Sequence, residues 1–400
     1  MPASDTGAFR RLWDELAPIG RDPGTGGYLR YAFTEPELRL RDWFRDQAGR
    51  RGLPVTGDGN GNLFAGLPQD ADDVVLLGSH FDSVPHGGAY DGPLGIVSAF
   101  LALDELRARG RTPRRPVAVA AFAEEEGARF GVPCLGSRLL TGAIDAGRAA
   151  ALTDRDGVTF AEALGGPPAG ARPDLVGRLG AFVELHVEQG RALVDLAAPV
   201  GLASGIWPHG RWRFDITGEA NHAGSTRMTD RRDPMLTFAF TVLAANKEAR
   251  LRGAHATVGR VRVEPNATNA VPARVSGWLD ARAADPDVLT GLVDAVHRRA
   301  VERADRDGTT VELTAESVTG TVEFDGGLLA VFRRALADGV PVLPTAAGHD
   351  AGVLAAYLPT AMLFVRNPTG VSHSPAESAT DDDCVAGVTA LADVLEELAC

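Results

Sequence analysis

Four short apolar runs constrain what this chain can fold into more than any other feature. They fall at 74–77, 117–122, 182–187 and 359–365, the second reading Val-Ala-Val-Ala-Ala-Phe. A strand with one wet face would alternate apolar with polar residues, so runs as unbroken as 74–77 and 117–122 suit strands buried on both faces. The run 182–187 differs only by Glu184 and His186. The first run is expected to break at Gly78. Leu94 to Leu106 reads as a helix, and so does 35–50, where Leu38, Leu40, Trp43 and Phe44 sit among charges before a stop near Gly52. Buried strands separated by helices predict an α/β fold with a mostly parallel sheet.

The pattern changes near Gly205. Trp212, Phe214 and Ile216 alternate with Arg213, Asp215 and Thr217, as a half-exposed strand should. A helix over 234–251, strands over 257–263 and 274–281, a helix over 288–303 and a strand over 309–315 follow. This βαββαβ order is a compact supersecondary unit. Apolar signals resume after about Val322. The expected organisation is one domain formed by 1–204 and 318–400, interrupted by an α+β insert at 205–317, with no internal repeat. Four hundred residues fit two domains better than one.

Composition narrows the function classes. A net charge of −13 speaks against a nucleic-acid surface, which wants a basic face. Arg10, Arg11, Asp14 and Glu15 interrupt the first segment, so it does not read as a signal peptide. No stretch approaches the ~20 apolar residues that cross a bilayer. Cys134, Cys384 and Cys400 have no CxxC spacing and predict neither a disulfide framework nor a thiolate zinc site. The expected setting is cytoplasmic, without nucleic-acid or membrane partners.

Chemistry collects where the apolar runs end, the place where α/β sheets carry function. The first run leads to His80-Phe81-Asp82, then Gly87-Gly88-Ala89-Tyr90-Asp91-Gly92. There an imidazole can ligate a metal while a carboxylate holds its other nitrogen. Equally, the His and Asp can cap a turn. The second run leads to Glu124-Glu125-Glu126, three carboxylates that repel one another unless a cation or proton relieves them; a solvated helix start is the plainer alternative. Alternation in the third puts Glu184, His186 and Glu188 on one face. Beyond the fourth lies Ser372-His373, with His349-Asp350 a further pair. That four separate strand ends each offer a His or a carboxylate favours a functional constellation.

These segments resemble the M20 metallopeptidase superfamily, and within it the hydantoinase/carbamoylase amidases. The stretches are GSHFDSVPHGGAYDGPLG, AFAEEEGARFG, ELHVEQG, GEANHAGSTRM, PNATNAVPARVSGWLDAR, AGHDAG and MLFVRNPTGVSHSPAE, spread over nearly the whole chain. The resemblance implies a dinuclear metal domain carrying an inserted ferredoxin-like domain that acts as lid and dimer contact. It implies one divalent ion on His80, Asp91 and His186 and a second on Asp91, Glu126 and His373, with zinc or manganese, cobalt or nickel all suited to such ligands. Glu125 matches the general base and Asp82 the residue that orients His80. His222 matches an oxyanion-stabilising residue that acts across a homodimer, while Gln189, Asn269 and Arg282 match substrate contacts.

His186 stands where peptidase-like members usually have Asp, so the resemblance points to an amidase rather than an aminoacylase or peptidase. Two departures stand out: Arg227 replaces a proline after His222, and Trp207-Pro208-His209 replaces the common entry to the insert. FVRNPTG around Arg366, together with IWPHGRW, looks most like bacterial allantoate amidohydrolases. Arg366 is therefore expected to contact substrate, and the expected reaction converts allantoate to ureidoglycine, ammonia and carbon dioxide. N-carbamoyl-L-amino acid hydrolysis, or the β-ureidopropionase reaction, is the alternative. An inactive metal-binding scaffold would have lost a ligand or the base, and every such position is filled.

Overall fold

The structure is a computed structural model, and it describes residues 6–336 and 339–400. Two compact units emerge: Met1–Gly205 with Glu323–Cys400, and Ile206–Val322.

The first unit is built on a nine-stranded sheet. At its centre Val117–Phe122, Val74–His80, Leu179–Val187 and Thr360–Val365 lie side by side and parallel. Every residue of Val74–His80 and Thr360–Val365 is buried, the reason the sequence reads there as unbroken apolar runs. Helix Pro93–Ala108 covers one face and is itself buried almost all round; helix Asp381–Ala399 packs against it and against Thr360–Val365. Phe100, Leu185, Val365 and Leu391 meet in this core, each worth roughly 1.5–3 kcal/mol of burial.

Two features of this sheet escape the apolar pattern. Gly78 does not end its strand, which continues to His80. A Cβ at Gly78 would strike the Ala120 carbonyl, so this glycine serves the close approach of two strands. The flanks are also antiparallel: Leu63–Ala65 pairs with Val117–Phe122 and with Val55–Gly57, and Val200–Ile206 pairs with Thr360–Val365. Such short strands lack the length that makes a periodic signal.

The second unit is a four-stranded antiparallel sheet in the order Thr310–Thr319, His209–Thr217, Arg274–Arg282, His255–Glu264. Helices Pro234–Arg252 and Pro286–Asp307 complete a βαββαβ unit. Both begin at an Asp cap with Pro at the first turn and end at a left-handed glycine, Gly253 or Gly308. Trp212, Phe214, Leu279 and Ala281 face the helices, while Arg213, Asp215, Arg274 and Ser276 form a charged network on the alternate residues. The last strand runs through an irregularity after Ala315 and continues to Thr319, so the unit ends at Val322 rather than 317. Among the described residues no helix is long and apolar enough to cross a membrane.

Candidate active site

At the carboxyl ends of the four parallel strands, side chains converge on Asp91. His80 Nε2 lies 3.4 Å and His186 Nε2 3.2 Å from Asp91 Oδ1. His373 Nε2 lies 3.5 Å from Asp91 Oδ2 and 3.4 Å from Glu126 Oε2. The donor atoms of His80, Asp91 and His186 cluster together, as do those of Asp91, Glu126 and His373; Asp91 is common to both groups. Glu184, His186 and His349 form a third, buried group, with the His349 ring 4.5 Å from that of His186.

The two buried imidazoles on Asp91 Oδ1 are each aimed by a backbone contact. Nδ1 of His80 meets the Asp82 carbonyl at 3.0 Å, and Nδ1 of His186 meets the Val187 carbonyl at 2.8 Å. The Nε2 atoms point inward; both are buried and make no well-angled hydrogen bond to a described residue. Gly92, at φ +85°, lets the chain turn against the His80 ring, where a Cβ would come within 2.5 Å. The turn that delivers His373 is organised by buried Asn367, whose Nδ2 donates to the Val371 carbonyl at 2.9 Å and whose Oδ1 accepts from Thr369 and Gly370. His373 itself takes a positive φ of 55°.

Glu124, Glu125 and Glu126 diverge because Glu124 is left-handed, at φ +53°. Glu124 turns away and accepts the N–H groups of Arg129 and Phe130, at 2.9 and 2.5 Å. The Cys134 thiol donates to Glu125 Oε1 at 3.4 Å, and Glu125 Oε2 faces His80 Nε2 at 3.7 Å. Glu126 faces His373. Asp82 meets His80 Nδ1 twice, through its carbonyl at 3.0 Å and its carboxylate at 3.6 Å. The same carboxylate also accepts the N–H groups of Glu125 and Glu126, at 3.1 and 3.0 Å, and so sets the position of the two glutamates.

The electrostatics are those of crowded, dry acids. Burial, and then the charge of Asp82, push Glu124 up to about 8; burial and Asp91 push Glu126 up to about 7. Burial also holds Glu125 well above the ordinary carboxylate range, with neighbouring Glu126, Asp350 and Asp82 adding to it against the pull of His80. Asp91 goes the other way: against the upward push of burial, His186, His373 and His80 hold it well below its usual value.

Gln189 belongs to this cluster, donating from Nε2 to Asp91 Oδ2 at 2.6 Å. Glu188 does not, because its carboxylate caps the short helix at Ala192 and Leu193. Arg366 is a correction to its expected substrate role. Its guanidinium forms a two-pronged pair with buried Asp383, at 3.1 and 2.7 Å, so the fork is spent on the carboxy-terminal helix.

The remaining residues lie in the second unit. His222 is exposed on a two-residue strand beside Ala270, and Asn269 is near it, its carbonyl accepting from Ala223 N. His222 Nδ1 accepts from the N–H groups of Gly224 and Ser225, at 3.0 and 3.1 Å. A neutral ring so held carries its proton on Nε2, which becomes a donor. Arg282 ends its strand opposite His209 and His255 and forms a two-pronged pair with part-exposed Asp280, at 2.8 and 3.1 Å.

A family model described as peptidase family M20/M25/M40 matches residues 76–397. An N-carbamoyl-L-amino acid amidohydrolase of Geobacillus stearothermophilus is 38% identical over 97% of this chain and 98% of that protein. The allantoate amidohydrolase of Escherichia coli K12 is 33% identical, covering 98% of each chain. The crystal structure of a hydantoinase/carbamoylase family amidase from Burkholderia vietnamiensis superposes with a TM-score of 0.88 at 33% identity, over 99% of both chains.

Proposed function

The chain belongs to peptidase family M20/M25/M40 and is a metal-dependent hydrolase, and from that premise we propose that it cleaves a ureido C–N bond in a small carboxylate-bearing ureide, allantoate first. The observation that carries this reading is the meeting of two donor groups on the two oxygens of Asp91. The residues fit a pair of divalent ions. Two buried imidazole nitrogens, His80 Nε2 and His186 Nε2, face one carboxylate oxygen and make no well-angled hydrogen bond to a described residue. Crowded carboxylates nearby gain from a cation. His80, Asp91 and His186 would hold one ion and Asp91, Glu126 and His373 the other, zinc or manganese, with cobalt and nickel also suited to an N/O set. When bound, such a pair acidifies a water and polarises a carbonyl.

The protein's own groups do the rest. Cys134 holds one oxygen of Glu125, leaving the other directed toward His80. That oxygen takes the proton of the attacking water and passes it to the leaving nitrogen. One water then converts allantoate to ureidoglycine, carbon dioxide and ammonia. Gln189 sits beside both Asp91 and His373, placed to meet a substrate polar group. Asn269 and Arg282 take the substrate carboxylate, for which a guanidinium fork is well shaped. Arg282 gives up Asp280 for it, which is part-exposed and can turn to water, whereas Arg366 is tied to an Asp383 that is buried.

His222 donates from Nε2 to the developing oxyanion, supplied across a homodimer. Support for a dimer comes from the second unit: Leu236, Leu243 and Leu251 are exposed along one stripe of helix Pro234–Arg252, and His255–Glu264 is an edge strand. A cytoplasmic setting goes with Cys134 and Cys384 standing as buried free thiols.

One observation favours N-carbamoyl-L-amino acids as a second reading. The arginine that distinguishes the allantoate-like motif, Arg366, is engaged with Asp383. Ammonia release from allantoate, N-carbamoyl-methionine and N-carbamoyl-β-alanine by zinc- or manganese-loaded protein decides between them. A higher kcat/KM for allantoate is the expected result. A higher value for a carbamoyl amino acid selects the second reading, and no release from any of the three removes both.

A further inference from the structure

One buried carboxylate next to the site has no part in the chemistry above. Glu377, four positions beyond His373, is 5% exposed. Its Oε1 accepts the N–H groups of Tyr90 at 2.9 Å and Asp91 at 3.0 Å, across 286 residues of chain in the latter case. Its Oε2 accepts the Ser372 hydroxyl at 3.2 Å, and the same hydroxyl lies 3.3 Å from Asp91 Oδ2. Room for this carboxylate exists because residue 88 is glycine; a Cβ there would overlap the Glu377 carboxyl group.

We propose that Glu377 is a positioning residue, a strut that fixes the backbone of Asp91 and ties it through Ser372 to the His373 turn. The inference rests on the two-ion reading above. Asp91 is the only side chain shared by both donor groups, so the separation of the two ion positions is set by how firmly Asp91 is held relative to His373. Nothing else among the described hydrogen bonds engages the Asp91 N–H. A carboxylate spanning both segments removes their independent motion, which is how outer partners tune a metal site.

Glu377→Gln separates geometry from charge, because an amide oxygen still accepts both N–H groups. Glu377→Ala removes the strut. Ser372→Ala cuts only the tie between the arms. The full chain is stripped with a chelator and titrated with Zn²⁺ by calorimetry; bound metal per chain, thermal melting and kcat are measured on the same samples. Wild type is expected to take two ions. Glu377→Ala should lose about 10–100-fold in affinity for one of them and a comparable factor in kcat. Glu377→Gln should stay close to wild type, and Ser372→Ala should fall between. Unchanged metal affinity and kcat in folded Glu377→Ala overturn the proposal. So does a Gln variant as impaired as Ala, or, if Ala does not fold, an unimpaired Ser372→Ala. Failure of wild type to bind zinc would instead overturn the two-ion reading.

Discussion

The two units hold their charges in opposite ways. In the second, buried Asp215 receives Ser276 Oγ at 2.5 Å, Arg274 Nη2 at 2.7 Å and Arg213 Nε at 2.7 Å. Burial presses its pKa upward, but these three donors win and hold it at about 2. In the first, Glu125, Glu126 and Asp350 gather with far less cationic relief, and burial pushes Asp350 up to about 8 and Glu126 up to about 7. A carboxylate balanced from within the chain is part of the scaffold. Carboxylates left crowded around imidazoles are arranged for a cation that the chain does not itself supply.

The comparison breaks first at Glu125. Glu125→Gln should lower turnover by about 10²–10⁴-fold, the usual worth of a general base, without changing the melting temperature. Turnover near wild type would move the base elsewhere. Next is Arg366→Ala, which leaves buried Asp383 without its partner. It should cost about 2–4 kcal/mol of stability in urea unfolding, less than a fully buried pair because the arginine is part-exposed. KM for allantoate should barely move, and a rise in KM with intact stability would return Arg366 to the substrate.

Metal removal sharpens the contrast further. At a hundredfold excess over Kd an ion adds about 2.7 kcal/mol. Chelation should therefore speed hydrogen exchange at 124–126 and 370–377 while leaving 209–217 unchanged; equal effects in both units would erase the distinction. The smallest effect is Asp215→Asn, about 1–2 kcal/mol at pH 7. A depressed pKa gives stability that is complete above the ordinary carboxylate value near 4 and is lost as pH falls through about 2. The gap between variant and wild type should close over that interval.

Much of this was legible before folding. The buried strands announce themselves, and His80, Glu125, Glu126 and His186 stand at or near their ends. Which of these and of His373 bind or react was legible only through the family resemblance. The βαββαβ order was equally readable, because its helices begin at Asp-Pro and end at glycine and its first strand alternates. What stayed hidden depends on contacts between distant segments. Glu377 gains its meaning from the Asp91 N–H, and Asp82 from the backbone of residues 125 and 126. Arg366 looked available for substrate until Asp383, seventeen positions on, claimed it. Asn367 could have been suspected, since Asn before Pro and Gly marks a tight turn.

The point of insertion has a practical corollary. The first unit gives way to the second at Gly205 and takes up the chain again at Glu323, and at that junction Phe324 N bonds the Ser204 carbonyl at 3.3 Å, with Val322–Glu323 lying beside Val200–Ile206 in one sheet. A splice of a few residues could therefore bypass the intervening segment without parting the sheet. Such a miniature would retain His80, Asp91, Glu125, Glu126, His186 and His373 and would discard His222, Asn269 and Arg282. On the roles proposed above, it would keep the ion ligands, the base and Gln189 while losing the oxyanion donor and the carboxylate contacts, so the two sets of tasks can be tested apart.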